Sequence, residues 1–200
     1  MTRTDRFVKR CFDVGVAAAG LLLLWPVIAA GWIAASWETR SNGFFLQERI
    51  GKDGKRFRVV KLKTMKPSSS VDTTVTTADD VRITRSGRFL RRTKIDELPQ
   101  LFNVLVGDMS LVGPRPDVPG FADRLEGEDR LVLSVRPGIT GPATLKYRNE
   151  EEILTKQKDP ERYNREVIWP DKVRINKAYV KHWSFVKDLE IIYRTIRSGA

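Results

Sequence analysis

Two adjacent carboxylates, Asp96 and Glu97, end a strongly basic stretch. Arg82, Arg85, Arg88, Arg91, Arg92 and Lys94 precede them, with no acidic residue in between. Cations beside a helix start suit a phosphate, because the free backbone N–H groups and the helix dipole also favour negative charge there. Neighbours on a helix project about 100° apart, so the two carboxylates would not face one another as a dyad. One could attack phosphorus while the other holds Mg²⁺ or Mn²⁺, since a hard cation needs only one or two carboxylates plus phosphate oxygens. The nearby cations would keep Asp96 ionised. The bland alternative is that the pair only caps a helix and offsets the arginines. Arg115 lies between Pro114 and Pro116; two fixed φ angles would present its guanidinium fork to a phosphate, or merely shape an exposed turn. Lys61 and Lys63 share one face of an expected strand, and Arg136 opens a glycine-rich loop over residues 136–141.

The elements that would position these groups are partly legible. Residues 44–50 and 56–65 predict two strands, joined through Asp53-Gly54, a pair suited to a hairpin turn. Residues 66–80 are small and polar and predict a loop. Leu98, Leu101, Phe102 and Leu105 repeat at helical spacing, with Asp96 placed as N-cap, Glu97 in the first turn and Gly107 ending the helix. A further helix is expected over residues 121–131. Residues 149–197 predict helices, acidic near 150–152 and 159–166. Further on, Trp169, Tyr179, Trp183, Phe185 and Tyr193 alternate with Lys172, Lys177, Lys181 and Lys187. That mixture fits a membrane–water interface, or equally an ordinary amphipathic core helix. The expected fold class is α+β.

The chain has 200 residues with 36 Lys plus Arg against 25 Asp plus Glu, so its net charge of +11 favours an anionic partner: nucleic acid, phosphorylated substrate or acidic lipid. One cysteine, Cys11, excludes an intramolecular disulfide, and one histidine, His182, excludes multi-histidine zinc sites. Residues 14–37 contain no charge across 24 positions, which exceeds the roughly 20 apolar residues needed to cross a bilayer. A signal peptide would be shorter and end at a cleavage site. Pro26 sits at the middle of this run and predicts a break, leaving arms of roughly 18 Å. Arg3, Arg6, Lys9 and Arg10 precede the run; Arg40, Arg49 and Lys52 follow it. Basic flanks stay cytoplasmic. A hairpin entering and leaving one face satisfies both flanks; a kinked span is the competing arrangement.

The segments FRVVKLKTM, RITRSGRFLRRTKIDELPQLFNVLVGDMSLVGPRP and VRPGITG, in this order after a proline-interrupted apolar run, resemble the bacterial sugar transferase family. The likeness is closest to its small monotopic phosphoglycosyl transferases and covers nearly all of the chain. Larger members carry an additional N-terminal membrane region, for which no counterpart is expected here. The resemblance implies transfer of a sugar-1-phosphate from a UDP-sugar to polyprenyl (undecaprenyl) phosphate with release of UMP. It further implies Asp96 as nucleophile, through a phosphosugar-aspartyl intermediate, and Glu97 as the Mg²⁺ ligand. Lys61, Arg88, Arg115 and Arg136 are then expected on substrate phosphates. The implied architecture is a re-entrant helix–break–helix over residues 1–40, broken at Pro26. A mostly helical cytosolic catalytic domain over residues 41–200 would follow, with a small β-hairpin and interfacial C-terminal helices. The implied location is the cytoplasmic face of a bacterial inner membrane, against anionic phospholipid and without nucleic acid; monomer or homodimer stays open. The sugar is expected to be an N-acetylated amino sugar. Family members often carry Ser where Trp25 stands and Asp where Asn176 stands, so no role is expected of Asn176. The competing functions are a membrane-tethered nucleic-acid-binding module and a non-catalytic membrane scaffold.

Overall fold

The computed structural model describes residues 1–66 and 80–198. Most of the loop expected over residues 66–80 lies outside them. The fold is α+β, with eight helices and two small sheets among the described residues.

Helix α1 (Arg3–Thr39) is opened by a capping box in which Thr2 and Asp5 exchange side-chain-to-backbone hydrogen bonds. It is long and apolar enough to cross a membrane. Pro26 lies inside α1 and does not end it, so the two separate arms expected from the sequence are one continuous helix. Proline removes one backbone donor, and the helix extends past it on both sides. Small residues let α1 lie close to the rest of the chain: Ala17 and Ala35 are fully buried, and a Cβ on Gly31 would stand 2.6 Å from Leu62. The other side of α1 is bare, with Leu22, Leu23, Trp25 and Trp37 between 63% and 84% exposed.

Strands β1 (Phe44–Ile50) and β2 (Arg56–Leu62) form the expected antiparallel hairpin, Phe44 opposite Leu62 and Ile50 opposite Arg56. Asp53 and Gly54 both take positive φ, 57° and 79°, and Lys55 N–H closes on the Lys52 carbonyl at 3.1 Å. This backbone matches the twist of the flanking strands. β2 stops short of residue 65, and Met65 makes only an isolated bridge to Ile83. The arginine-rich stretch forms α2 (Arg85–Arg92), capped by Thr84.

Helix α3 spans only Gln100–Val106, ended by Gly107 at φ 102°. Asp96 is therefore not its N-cap: it lies in a separate tight turn, Ile95–Glu97. Lys94 enters that turn at φ 57°, a left-handed conformation that redirects the chain after α2. The face buried by α3 also differs from the expected one. Gln100, Leu101, Asn103 and Val104 are buried, whereas Phe102 is half exposed.

Strands β3 (Ser110–Val112) and β4 (Gly138–Thr140) pair in parallel, so the loop expected at residues 136–141 contains a strand. A Cβ on Gly138 would meet the Gly113 nitrogen at 2.1 Å, so only glycine allows this approach of the two backbones. The helix expected at 121–131 is present as two 3₁₀ segments, Ala122–Arg124 and the eight-residue Gly127–Ser134, rather than as one α-helix. A short helix not expected from the sequence, α4 (Pro142–Lys146), follows β4, and residues 149–197 are helical as expected, in α5 (Glu150–Thr155), α6 (Pro160–Tyr163), α7 (Trp169–Lys181) and α8 (Phe185–Ser198). The main core joins α1, α3, β3, α7 and α8 around Ala17, Val104, Met109, Val112 and Tyr179.

Candidate active site

The site forms where three segments meet: β2, the Ile95–Glu97 turn and the loop after β3. Glu97 is its electrostatic centre. Lys61 Nζ donates to Glu97 Oε1 at 3.2 Å, Arg115 Nη1 donates to Oε2 at 3.2 Å, and Arg115 Nη2 donates to Oε1. The arginine thus grips the carboxylate with both arms of its fork, the strong form of this pair. Burial pushes the Glu97 carboxyl upward, but Arg115 and Lys61 outweigh it and hold the group well below the usual carboxylate range. Reciprocally, the charge of Glu97 raises the Arg115 guanidinium, while burial lowers the Lys61 ammonium.

Asp96 is placed differently. It is 7% exposed, and its Oδ1 is buried without a hydrogen-bond partner. Burial, and next the charge of Glu97, push its carboxyl up to about 6 against the weaker pull of Lys61, Arg91 and Lys94. The expectation that nearby cations keep it ionised holds only in part: burial outweighs them and raises the carboxyl, which at about 6 is still mostly ionised at neutral pH. Two of those three cations are spent on other partners: Lys61 on Glu97, Arg91 on Glu151.

The phosphate-binding candidates divide. Lys61 and Arg115 converge on Glu97. Arg88 is exposed on α2 and joins no ion pair among the described residues. Arg136 Nε donates to the Gly107 carbonyl at 2.8 Å and so fastens the end of α3. Lys63, beyond the end of β2, donates to Ser41.

Several participants had no clear sequence signal. Asn103 donates to the Arg58 carbonyl at 2.8 Å and accepts from Val60 N–H at 3.0 Å, so its amide pairs with β2 like an added strand. That fixes α3, and the turn before it, beside Lys61. Asp117 follows the Pro114–Pro116 segment, and burial raises its carboxyl to about 6 while Lys172 and Arg49 oppose the rise. Arg49 donates to the Pro116 carbonyl at 3.1 Å. Burial, and then Arg115, lower its guanidinium to about 10.

Among the described residues no three His, Cys, Asp or Glu side chains converge as a cation cage. Mg²⁺ does not need one where substrate phosphates and waters complete its shell. The partnerless Asp96 Oδ1 and the neighbouring Glu97 are hard oxygen donors of the required type, so these residues fit such a cation. At Glu97 it would share the carboxylate with Lys61 and Arg115.

A carboxyl raised in the folded protein stays protonated to higher pH than in the unfolded chain. The contribution of Asp96 to stability is then fully present below the unfolded value of 3.8 and is lost as pH rises through about 6. Ionising Asp96 at neutral pH costs up to about 3 kcal/mol, at about 1.4 kcal/mol per pH unit. Asp96→Asn should therefore raise the thermal midpoint at pH 7.5, with the gain shrinking at pH 5. Unfolding scans of both proteins in detergent check this; a destabilised variant at pH 7.5 would contradict it.

The sequence model for bacterial sugar transferases matches residues 4–200. The chain is 46% identical over 129 residues to a Bacillus subtilis protein provisionally named undecaprenyl-phosphate N-acetylgalactosaminyl 1-phosphate transferase, covering 63% of this chain and 72% of that one. It is 35% identical over 206 residues to the Escherichia coli UDP-glucose:undecaprenyl-phosphate glucose-1-phosphate transferase, covering all of this chain and 41% of that one. It is 34% identical over 196 residues to an Aeromonas hydrophila UDP-N-acetylgalactosamine-undecaprenyl-phosphate N-acetylgalactosaminephosphotransferase, covering 96% and 43%. It thus spans about two fifths of the length of the latter two relatives. With the family's sequence model matched across nearly the whole chain, and Glu97, Lys61 and Arg115 paired in one cluster beside the buried Asp96, this chain belongs to the bacterial sugar transferase family.

Proposed function

We propose that the protein transfers a sugar-1-phosphate from a UDP-sugar to undecaprenyl phosphate at a membrane surface, through a covalent intermediate on Asp96. The observation that carries this is the contrast between neighbours. Glu97 is neutralised by two cations, whereas Asp96 presents a buried oxygen with no partner. A carboxylate freed from hydrogen bonds and raised to about 6 remains ionised at neutral pH and is a better nucleophile than a solvated one. An Asp96 oxygen would attack the phosphorus that carries the sugar. The bond from that phosphorus to the bridging oxygen breaks, and UMP leaves with the electron pair. Undecaprenyl phosphate then attacks the same phosphorus through one of its oxygens and returns Asp96 as a free carboxylate. Arg115 and Lys61, which hold Glu97 beside Asp96, would share part of their charge with the phosphates as UMP separates. Bound Mg²⁺ or Mn²⁺ would supply further neutralisation of the diphosphate. The relatives named for N-acetylgalactosamine transfer support an N-acetylated amino sugar as donor.

Helix α1 supports a monotopic seat in the membrane. Near its start, Arg10 donates to the Val104 and Leu105 carbonyls at 2.6 and 2.9 Å, and Asp13 accepts from Ser110 and Leu111. Near its end, Glu38 accepts from Ser86 N–H and Oγ at 3.0 and 2.7 Å. Both ends are fastened to one folded unit, while the apolar side between them is bare. A helix held this way immerses its face in the bilayer and keeps both flanks on the cytoplasmic side.

Enzyme and UDP-sugar without lipid acceptor should release about one equivalent of UMP, the yield of a single covalent turnover. Intact-protein mass spectrometry should show a sugar-phosphate adduct on the wild type and none on Asp96→Asn. An adduct on Glu97, or near wild-type turnover by Asp96→Asn, would overturn the assignment. Activity should be lost in EDTA and restored by Mg²⁺; full activity in EDTA would remove the cation. A single cysteine at Thr4, in a background lacking Cys11, should be labelled only from the cytoplasmic side; periplasmic labelling would contradict the monotopic seat.

A further inference from the structure

Beside the ion cluster lies a narrow cavity of about 20 Å³, room for a methyl- or water-sized group. Its walls are mostly apolar, and include Ala122, Val132, Leu133 and Val173. Arg115 lines it too, so the cavity adjoins the residue that grips Glu97. Asn176, on α7, also lines it; this residue is 7% exposed, and its Oδ1 is buried without a partner. A buried acceptor left unpaired costs free energy that a ligand donor can recover. The space calls for a small group that brings one N–H together with an apolar end.

We propose that this cavity recognises the acetamido group of the donor sugar, with Asn176 Oδ1 accepting its N–H and the methyl entering the apolar walls. This rests on the phosphoglycosyl transfer proposed above and adds a specificity-determining residue to it. Reach favours the assignment. In a 2-acetamido sugar the amide sits on the carbon next to the one bearing the phosphate, so its pocket must adjoin the phosphate site, as this one does through Arg115. Size favours it over the nucleobase, because the cavity has room for the methyl alone, with the rest of the acetamido group at its mouth, whereas a uracil ring does not enter it. Polarity favours it over a bare hydroxyl, which would satisfy Asn176 but leave the apolar walls unfilled.

The test is UMP release with undecaprenyl phosphate from two matched donor pairs, UDP-GalNAc with UDP-galactose and UDP-GlcNAc with UDP-glucose. The wild type should favour the acetamido member of at least one pair by roughly 10-fold or more in kcat/KM. Asn176→Leu removes the acceptor at similar volume, and Ala122→Leu fills the cavity from another lining position; each should reduce that ratio roughly 10-fold. Asn176→Asp keeps an acceptor oxygen and should retain the preference, a rescue that a purely structural asparagine would not give. Thermal midpoints verify that each variant is folded, and Ala122→Leu carries the test if Asn176→Leu does not fold. Equal use of both members of each pair, or an unchanged ratio in folded Ala122→Leu, overturns the pocket while leaving the transfer reaction standing. UMP release from none of the four donors overturns the transfer reaction and the pocket with it.

Discussion

The carboxylate of Glu97 is the fixed charge around which the site is assembled. It is reached by Lys61 from a strand, by Arg115 from a proline-bounded loop, and by its own backbone from a tight turn. Removing either cation would leave the Glu97 charge undercompensated at a largely buried position, a loss that the partial exposure of Arg115 keeps below that of a fully buried pair. The cluster therefore holds three segments in register as well as neutralising a charge. Its consequence for Asp96 is indirect. With Lys61 and Arg91 committed to Glu97 and Glu151, the neighbouring carboxylate is buried and only weakly compensated. Its rise to about 6 follows from that division of partners.

The supports of this cluster are built from backbone contacts. Asn103 splices α3 onto β2, and Arg136 and Arg10 bind carbonyls at the end of α3. The close crossing of Gly113 and Gly138 then sets where Arg115 emerges. Behind them, Asp188 is buried and accepts from Lys9 of α1, Tyr179 of α7 and Trp183. That network ties the helix with the bare apolar face to the C-terminal helices. A nucleophile near such a helix can be served from water by a nucleotide and from the bilayer by a lipid phosphate, which matches the chemistry proposed.

Much of the cluster was legible in the sequence because its residues are restricted in type. Arg115 is bracketed by prolines, Lys61 lies in an alternating strand, and Asp53-Gly54 marks the hairpin turn that delivers it. The placement of Asp96 at a helix N-cap failed for a backbone reason. Lys94 adopts a left-handed conformation and Pro99 opens α3, so the periodic run starting at Leu98 begins as a tight turn rather than as helix. Strands β3 and β4 have three residues each, too few for alternation to show. Arg88 and Arg136 resembled Arg115 as isolated cations; only tertiary structure separates an arginine facing solvent from one bound to a carbonyl. The Asn176 cavity is assembled from distant segments and has no local pattern at all.

The central claim is that burial beside a neutralised Glu97 leaves Asp96 with a raised carboxyl and a free oxygen. The most direct measurement is a ¹³C NMR titration of the aspartate carboxyl carbons in detergent-solubilised protein, with the Asp96 signal assigned by its loss in Asp96→Asn. The account predicts a midpoint for Asp96 near 6, about 2 units above an ordinary aspartate. A midpoint at or below about 4 would contradict it, because the cations would then be serving Asp96 as they serve Glu97.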